Sequence, residues 1–481
     1  MHRFFAAIFI FLFFASASYG QSDSIWSLQR AVKFAHEHNI SIQQNVLNER
    51  LAKLTLQQTR LSQIPNANIS SSYGRSYGRS VDPTTNQFVQ GNSYDFMSLS
   101  GVTDVLLFGW FQKRNQIGRD RFNLQAAQAD LEQIRDDISL NVATGYLRLI
   151  LAREQIGVTQ QQVELSKAQY EQTRRFEEAG RVPELNVAQL EAQLAGDSAN
   201  LITAISDYNA AILDMKALLN LDFTTPFVPQ MPDVNLGEQI AVSAMNPEEI
   251  YQQARGHLGV IKASELRLSA AQKSYSAARG ALWPQLSLSG QFGTNFASTF
   301  REVAGFNMTG SSPTGAFVQV PGTDITVPVY QPTGTYTFND VPLFRQFDNN
   351  FRQTVALNLN IPVFNAWQAQ FGVKQAKINI ARQELNQYQS ELKLKQDVYK
   401  AHNDAVNSIQ KYNAAERAAI AARRAFDFAQ KRYDLGLTNT VEYLTTQNTL
   451  YSAESRLASS KYDLIFKLKV IDYYLGKELK L

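Results

Sequence analysis

The chain has 481 residues, 46 basic against 43 acidic side chains for a net charge of +3, and no cysteine. So small a positive excess argues against a nucleic-acid surface. The missing cysteines exclude disulfides and a lipid carried on a cysteine behind a leader.

The first 20 residues, MHRFFAAIFIFLFFASASYG, read as a secretory signal peptide: His2 and Arg3, an apolar run over 4–15, then small residues suited to cleavage. A retained anchor is the alternative, though the run is too short to span a bilayer. No later stretch approaches ~18 uninterrupted apolar residues, which excludes a helical membrane protein.

Length alone suggests two or three domains, but an internal repeat overrides that expectation. From about residue 97 to 220 the chain matches itself at an offset of 256. Phe108 of LLFGW meets Phe364 of PVFNA, Val142 meets Val398, Gly180 meets Gly436, Asp207 meets Asp463, and Leu219-Asn220 meets Leu475-Gly476. Upstream the offset is 219, with Arg60 over Arg279 and Pro65 over Pro284, so 37 residues are inserted between Pro284 and Phe364. The division is a first repeat over 21–220, a linker over 221–246 with a stretch rich in Pro and Gly, and a second repeat over 247–481.

Each repeat is expected to run helix, two strands, helix, turn, helix. The strands alternate with period two. Ala67, Ile69, Ser71 and Tyr73 share one face, as do Met97, Leu99, Val105 and Leu107. Leu286, Leu288, Gly290 and Phe292 alternate with Gln285, Ser287, Ser289 and Gln291, and VALNLNI (355–361) sets apolar positions against Ala356, Asn358 and Asn360. The polar faces meet water or a polar interior; an ordinary half-buried sheet is the plain alternative. The helices are long: from Phe111 to Ala179 there is no Pro, and Gly stands only at 118, 145 and 157. At ~1.5 Å per residue that is roughly 100 Å. A narrow seam through Leu131, Ile138, Val142, Tyr146, Leu149, Ile156, Val163 and Tyr170 is set for neighbouring helices, and 366–435 repeats the pattern.

Four strands of about ten residues suit a tilted bilayer crossing. A membrane permits no open sheet edge, and four strands are too few to close a barrel. Copies must then share one: two chains give eight strands and three give twelve, of which only the larger leaves water inside for the Asn, Gln and Ser face. The hairpin tips, 77–94 and the longer 297–350, point away from the helices. The second is rich in Gly, Pro, Thr and Phe, a composition open to further pairing.

The twofold repeat, the LLFGW and PVFNA joints, and the turns RRFEEAGRVPELNVAQLEAQ and KRYDLGLTNTVEYLTTQNTL resemble TolC-type outer-membrane efflux proteins over essentially the whole mature chain. The resemblance implies an α+β membrane protein: a homotrimer with a twelve-stranded barrel in the lipid of a Gram-negative outer membrane, continued by a long periplasmic α-helical barrel. It further implies docking to a periplasmic adaptor (membrane fusion) protein and an inner-membrane pump, in tripartite efflux or type I secretion. Carried over residue by residue, the adaptor-contact tips are Gly180, Arg181, Val182, Gly436, Leu437 and Thr438. The periplasmic gate maps to Asn186, Tyr433, Glu442 and Thr445. Tyr433 matches the family's gate tyrosine and Glu442 an acidic position, but Thr438, Thr445 and Asn186 replace an arginine and two acids, which puts a closure held by charged pairs in doubt. Glu442 also suits an early helical turn through the dipole alone.

Other chemistry is absent from the sequence. The five histidines have no metal-ligand spacing, and there is no phosphate loop or nucleophile elbow, so neither an enzyme nor a cofactor is expected. Arg75 and Arg79 of YGRSYGRS lie near a hairpin tip, where they line the pore mouth, bind anionic lipopolysaccharide or are simply solvated. The competing expectation from another class is a secreted periplasmic coiled-coil structural or adaptor-like protein.

Overall fold

The computed structural model describes residues 25–78, 80–81, 88–89, 93–231 and 246–477. The expected signal peptide, residues 232–245 of the expected linker, and Arg79 with much of the first hairpin tip lie outside the described residues.

Where periodicity predicts one opening helix, there are two. Helices α1 (Leu28–His38) and α2 (Ile40–Leu61) are split at Asn39, whose ψ of 129° leaves the helical region. Its side-chain oxygen accepts from Ser41 N at 2.9 Å and so starts the second helix. In the other half α5 (Pro247–His257) and α6 (Gly259–Gly280) are split in the same way at Leu258, ψ 131°. Every bound in the second pair lies 219 residues beyond its counterpart. The long helices α3 (Gln112–Glu178) and α8 (Gln368–Asp434) are 67 residues each, with bounds 256 apart, and are followed by α4 (Glu184–Leu219) and α9 (Thr440–Tyr474). Left-handed backbone recurs at the same spacing: Trp110 and Ala366, Phe111 and Trp367, Gly180 and Gly436, Asn220 and Gly476.

The described residues fall into two units, one from 25–54, 120–271 and 379–477, the other from 55–119 and 272–378. In the first, the parallel pair β1 (Ile25–Trp26) and β6 (Val228–Pro229) lies by α3, where the Tyr146 hydroxyl sits 2.7 Å from the carbonyls of both Trp26 and Gln230. Around them Leu28, Ala31, Ala35 and Ile42 pack with Ile138, Val142, Leu149 and Ile465. A second cluster joins Ile250, Ala254 and Ile261 to Leu394, Val398 and Ile471. The expected seam on α3 holds through Leu149 and then changes. Ile156, Val163 and Tyr170 are only half-buried, while Thr159, Gln162, Ser166, Gln169 and Thr173, spaced three and four apart, are buried. Toward its end this helix packs through a polar stripe.

The second unit carries an antiparallel sheet in the order β10–β7–β5–β2: β10 (Arg352–Asn360), β7 (Gln285–Ala297), β5 (Ser93–Phe108) and β2 (Asn66–Tyr77). Its register puts Val355 opposite Gly290, Leu357 opposite Leu288, Val105 opposite Leu288 and Ile69 opposite Gly101, so the apolar positions gather on one face. Ser70 with Ser100, Ser72 with Ser98, and Asn358 with Ser289 hydrogen-bond across the other at 2.7–2.9 Å. One assignment changes: a bulge between Leu106 and Phe108 removes Leu107 from the series and gives its place to Phe108, opposite Leu286. Arg75 is held by Asp95 in two bonds of 2.5 and 2.8 Å. Beside the short pair β3 (Ser80–Val81) and β4 (Phe88–Val89), the unit has a second hairpin, β8 (Arg301–Gln319) with β9 (Thr326–Asp340), and the short helix α7 (Leu343–Asn349). Among the described residues no helix is long and apolar enough to cross a membrane.

Candidate functional site: the paired helical turns

Two turns end the long helices α3 and α8. At the first, Arg181 N donates to Phe176 O at 2.8 Å and Gly180 N to Glu177 O at 2.7 Å, with Gly180 at φ +67°. At the second, Leu437 N donates to Arg432 O at 2.8 Å and Gly436 N to Tyr433 O at 2.9 Å, with Gly436 at φ +70°. Both are Schellman ends, in which a left-handed residue lets the last carbonyls find partners, and a residue without Cβ takes that conformation without strain.

The returning helices start differently. Pro183 caps α4 with φ −67° and no side-chain acceptor. Asn439 caps α9, its oxygen accepting from Glu442 N at 2.8 Å. The Glu442 carboxylate is bound in turn by Arg432 Nη1 at 3.2 Å and by the Thr438 hydroxyl, and Arg432 also donates to Leu437 O at 3.3 Å. Around the first turn stand an Arg174–Glu178 pair at 3.2 Å and the Arg181 guanidinium over the Phe176 ring at 5.9 Å.

Gly180, Arg181, Gly436 and Leu437 are exposed, and Val182 and Thr438 half-buried. Leu435 and Leu437 keep 73% and 64% of their surface in solvent, an unusual load of apolar surface for one turn. Asn186 is half-buried in the first turn of α4, its amide bonded to Pro183 O at 3.0 Å. Glu442 and Thr445 are exposed on α9, the Thr445 hydroxyl donating back to Val441 O. Tyr433 stands apart from them. Its ring lies 4.8 Å from that of Tyr443, and its hydroxyl is 3.3 Å from both Thr173 and Thr440, which places it between the two hairpins.

Behind the turns lies a network that sequence reasoning missed. Asp197 on α4 is 3% exposed and accepts from Ser166 Oγ at 2.5 Å, Gln193 Nε2 at 3.0 Å and Gln162 Nε2 at 3.2 Å. Ser166 accepts in turn from Gln447 Nε2 of α9 at 2.9 Å, which links the two hairpins. A buried carboxylate is tolerated only with its lone pairs occupied, and here neutral donors occupy them. Among the described residues Gln169 Nε2, Gln447 Oε1 and the Tyr443 hydroxyl are buried without a partner. Burial, with Asp434 and Tyr433 nearby, pushes the Tyr443 hydroxyl well above its ordinary value. The signal was in the sequence as the polar three-and-four spacing of Gln162, Ser166, Gln169 and Thr173. Among the described residues no three His, Asp or Glu side chains gather as metal ligands.

Comparison with known proteins adds the wider frame. The description "outer membrane efflux protein" belongs to a family whose model matches residues 32–221 and 250–476. Over 340 residues the chain is 23% identical to the outer membrane protein TolC of Escherichia coli (strain K12), covering 70% of this chain and 61% of that relative, less than two thirds of its length. Among solved structures, a membrane protein from Pseudomonas aeruginosa aligns with a TM-score of 0.72 at 17% identity, over 94% of this chain and 90% of that one. The open state of the Neisseria gonorrhoeae MtrE outer membrane channel gives 0.70 at 18% identity, over 94% and 89%. At such identities the structural likeness is one of fold.

Proposed function

The chain belongs to the outer membrane efflux protein family, and from that premise we propose that it is the passive exit duct of a tripartite efflux or type I secretion system. Family members are channels and the relatives are outer membrane proteins, so neither catalysis nor a cofactor enters the reading, and the periplasmic coiled-coil alternative gives way to it. Three copies share a twelve-stranded barrel in the outer membrane, each bringing four strands, and the long helices extend into the periplasm without a lipid anchor. The repeats run over 21–220 and 247–481, joined by 221–246.

The observation that carries this reading is the four-stranded sheet with one apolar face and two edge strands, β2 and β10, each paired on one side only within the described chain. A hydrocarbon layer tolerates such edges only when copies close them. Aromatic side chains support the same placement. Three of the four tryptophans, Trp110, Trp283 and Trp367, stand with Phe108, Phe111 and Phe364 at the joints between sheet and helices, as interfacial belts do. The turn residues Gly180, Arg181, Val182, Gly436, Leu437 and Thr438 meet a periplasmic adaptor that joins the duct to an inner-membrane pump. Asn186, Glu442 and Thr445 narrow the periplasmic end, with Tyr433 setting the angle between the hairpins that carry them.

The test sets one face of β10 against the other. Leu357→Arg, on the apolar face, costs ~2–4 kcal/mol at mid-membrane and blocks stable insertion. Asn358→Arg, on the polar face, leaves the membrane yield unchanged. Equal yields from both would overturn the membrane assignment of this sheet.

A further inference from the structure

The hairpin of β8 and β9 is an amphipathic ribbon. Its register pairs Val303 with Phe338, Phe306 with Tyr336, Met308 with Gly334, Pro313 with Tyr330 and Phe317 with Pro328, all on one face. The other face pairs Glu302 with Asn339, Gly305 with Thr337, Asn307 with Thr335, Gly310 with Thr333 and Ser312 with Gln331, and turns apolar only near the tip, where Val318 meets Val327. Extra residues in β8 after Val303, after Met308 and between Pro313 and Phe317 are what keep the apolar positions aligned against an unbroken β9. The apolar face is open: Phe306 is 39% exposed, Tyr336 60% and Phe317 66%, with the Phe306 and Tyr336 rings 4.9 Å apart. A lone two-stranded hairpin is marginal in water, and an apolar patch of this extent marks a surface that something covers.

The base of the ribbon is fixed. Gln346 of α7, 1% exposed, accepts from Ala297 N at 3.0 Å and donates to Ala297 O at 3.0 Å and Val341 O at 2.8 Å, tying the end of β7 to the chain leaving β9. Asn350 donates to Asn295 O and Thr294 to Phe347 O, both at 2.8 Å. Arg301 pairs with Asp340 at 2.8 Å and Arg345 with Glu302 at 3.1 Å. An unused connection needs no such clamp. The ribbon is held at a set angle to β7.

We propose that the apolar faces of this ribbon pack against one another between copies of the chain, forming a shared collar beyond the outer mouth of the barrel. This rests on the trimeric reading above. Charge favours a second copy over a lipid surface: between Val303 and Asn339 the only charged residue is Asp324, in the turn, and the arginines at the base are already paired. Anionic headgroups would have no free cation to meet there. Pro313, Pro328 and Pro332 and the extra residues of β8 discourage strand addition along the edges, which leaves the face as the contact. Five aromatic side chains of roughly 150–250 Å² each, about half of it accessible, offer on the order of 500 Å² per copy. With Val303, Met308 and the prolines added, that approaches the ~800 Å² per partner of a stable interface. Aromatic and Met side chains are those that interface cores favour.

The chain has no cysteine, so single substitutions give unique probes. Tyr336→Cys and, opposite it, Phe306→Cys report the apolar face, and Thr335→Cys the polar one. With outer-membrane protein treated with a short bis-maleimide, both apolar-face variants are expected to cross-link copies at least tenfold more than Thr335→Cys. A trimeric particle with no cross-link at Phe306→Cys or Tyr336→Cys, or with equal cross-linking at Thr335→Cys, overturns the inference alone. So does a nitroxide at Tyr336→Cys that meets oxygen as a lipid-exposed label does. A particle that is not a trimer by native mass overturns the trimeric reading and this inference with it.

Discussion

At Gly180 and at Gly436 the chain reverses through the same two backbone hydrogen bonds, yet the first turn passes to a bare proline cap and the second to a braced asparagine cap. The shared part is what reversal demands: one left-handed residue and two carbonyls to satisfy. The rest sets stiffness. In the second turn Arg432, Thr438, Asn439 and Glu442 bind one another across the loop, whereas among the described residues the side chains of the first make a pair along their own helix and a ring contact. The first turn is therefore the less braced of the two, and the second the more.

The strongest way to break this contrast is to cut the tie behind both turns. Asp197→Ala strands the Ser166, Gln162 and Gln193 donors in a buried site and removes bonds to a charged acceptor, for a loss of ~3 kcal/mol. A thermal melt reads it as a clear fall in Tm, which Asp197→Asn restores in part; an unchanged melt contradicts the network. Next in size are Gly180→Val and Gly436→Val. No atom lies within 4 Å of where either Cβ would sit, so the cost is backbone strain alone, ~1–3 kcal/mol and alike in the two. Both variants assemble, and Gly436→Val abolishes export in cells relying on this channel; normal export would remove the tip from the mechanism.

Smaller changes sharpen the contrast. Asn439→Ala takes the acceptor from Glu442 N and costs ~1 kcal/mol, while Pro183→Ala, with no side-chain bond to lose, costs a few tenths. Amide exchange at 440–443 quickens in the first variant, and exchange at 184–187 does not in the second. Comparably small is Arg432→Ala, which removes an exposed ion pair worth ~0.2–1 kcal/mol. Its effect fades in high salt. A loss that persists in salt would assign Arg432 a role other than pairing with Glu442.

Much of this architecture was legible in the sequence because backbone demands repeat. The offsets of 219 and 256 read from Pro65, Phe108 and Gly180 recur in the bounds of α1, α2 and α3 and in the left-handed residues, including Trp110 and Ala366, where no glycine gave notice. Strand faces were legible from alternation, except at Leu107, since a bulge leaves no mark on the pattern it interrupts. The split at Asn39 escaped because a single residue leaving the helical region barely disturbs a 3.6-residue period. Turn positions followed from glycine. Their bracing did not, because Arg432 and Glu442 meet only once the loop has folded. Tyr433 shows the limit most plainly: a motif places it beside Glu442, but its ring turns to Tyr443 and Thr173.

The most direct test of the central claim is the native mass of the detergent-extracted protein from an outer-membrane fraction. Three mature chains per particle is the result predicted, since four strands from each then close a twelve-stranded barrel. A soluble monomer or dimer would leave β2 and β10 without neighbours to close them and would contradict the exit duct.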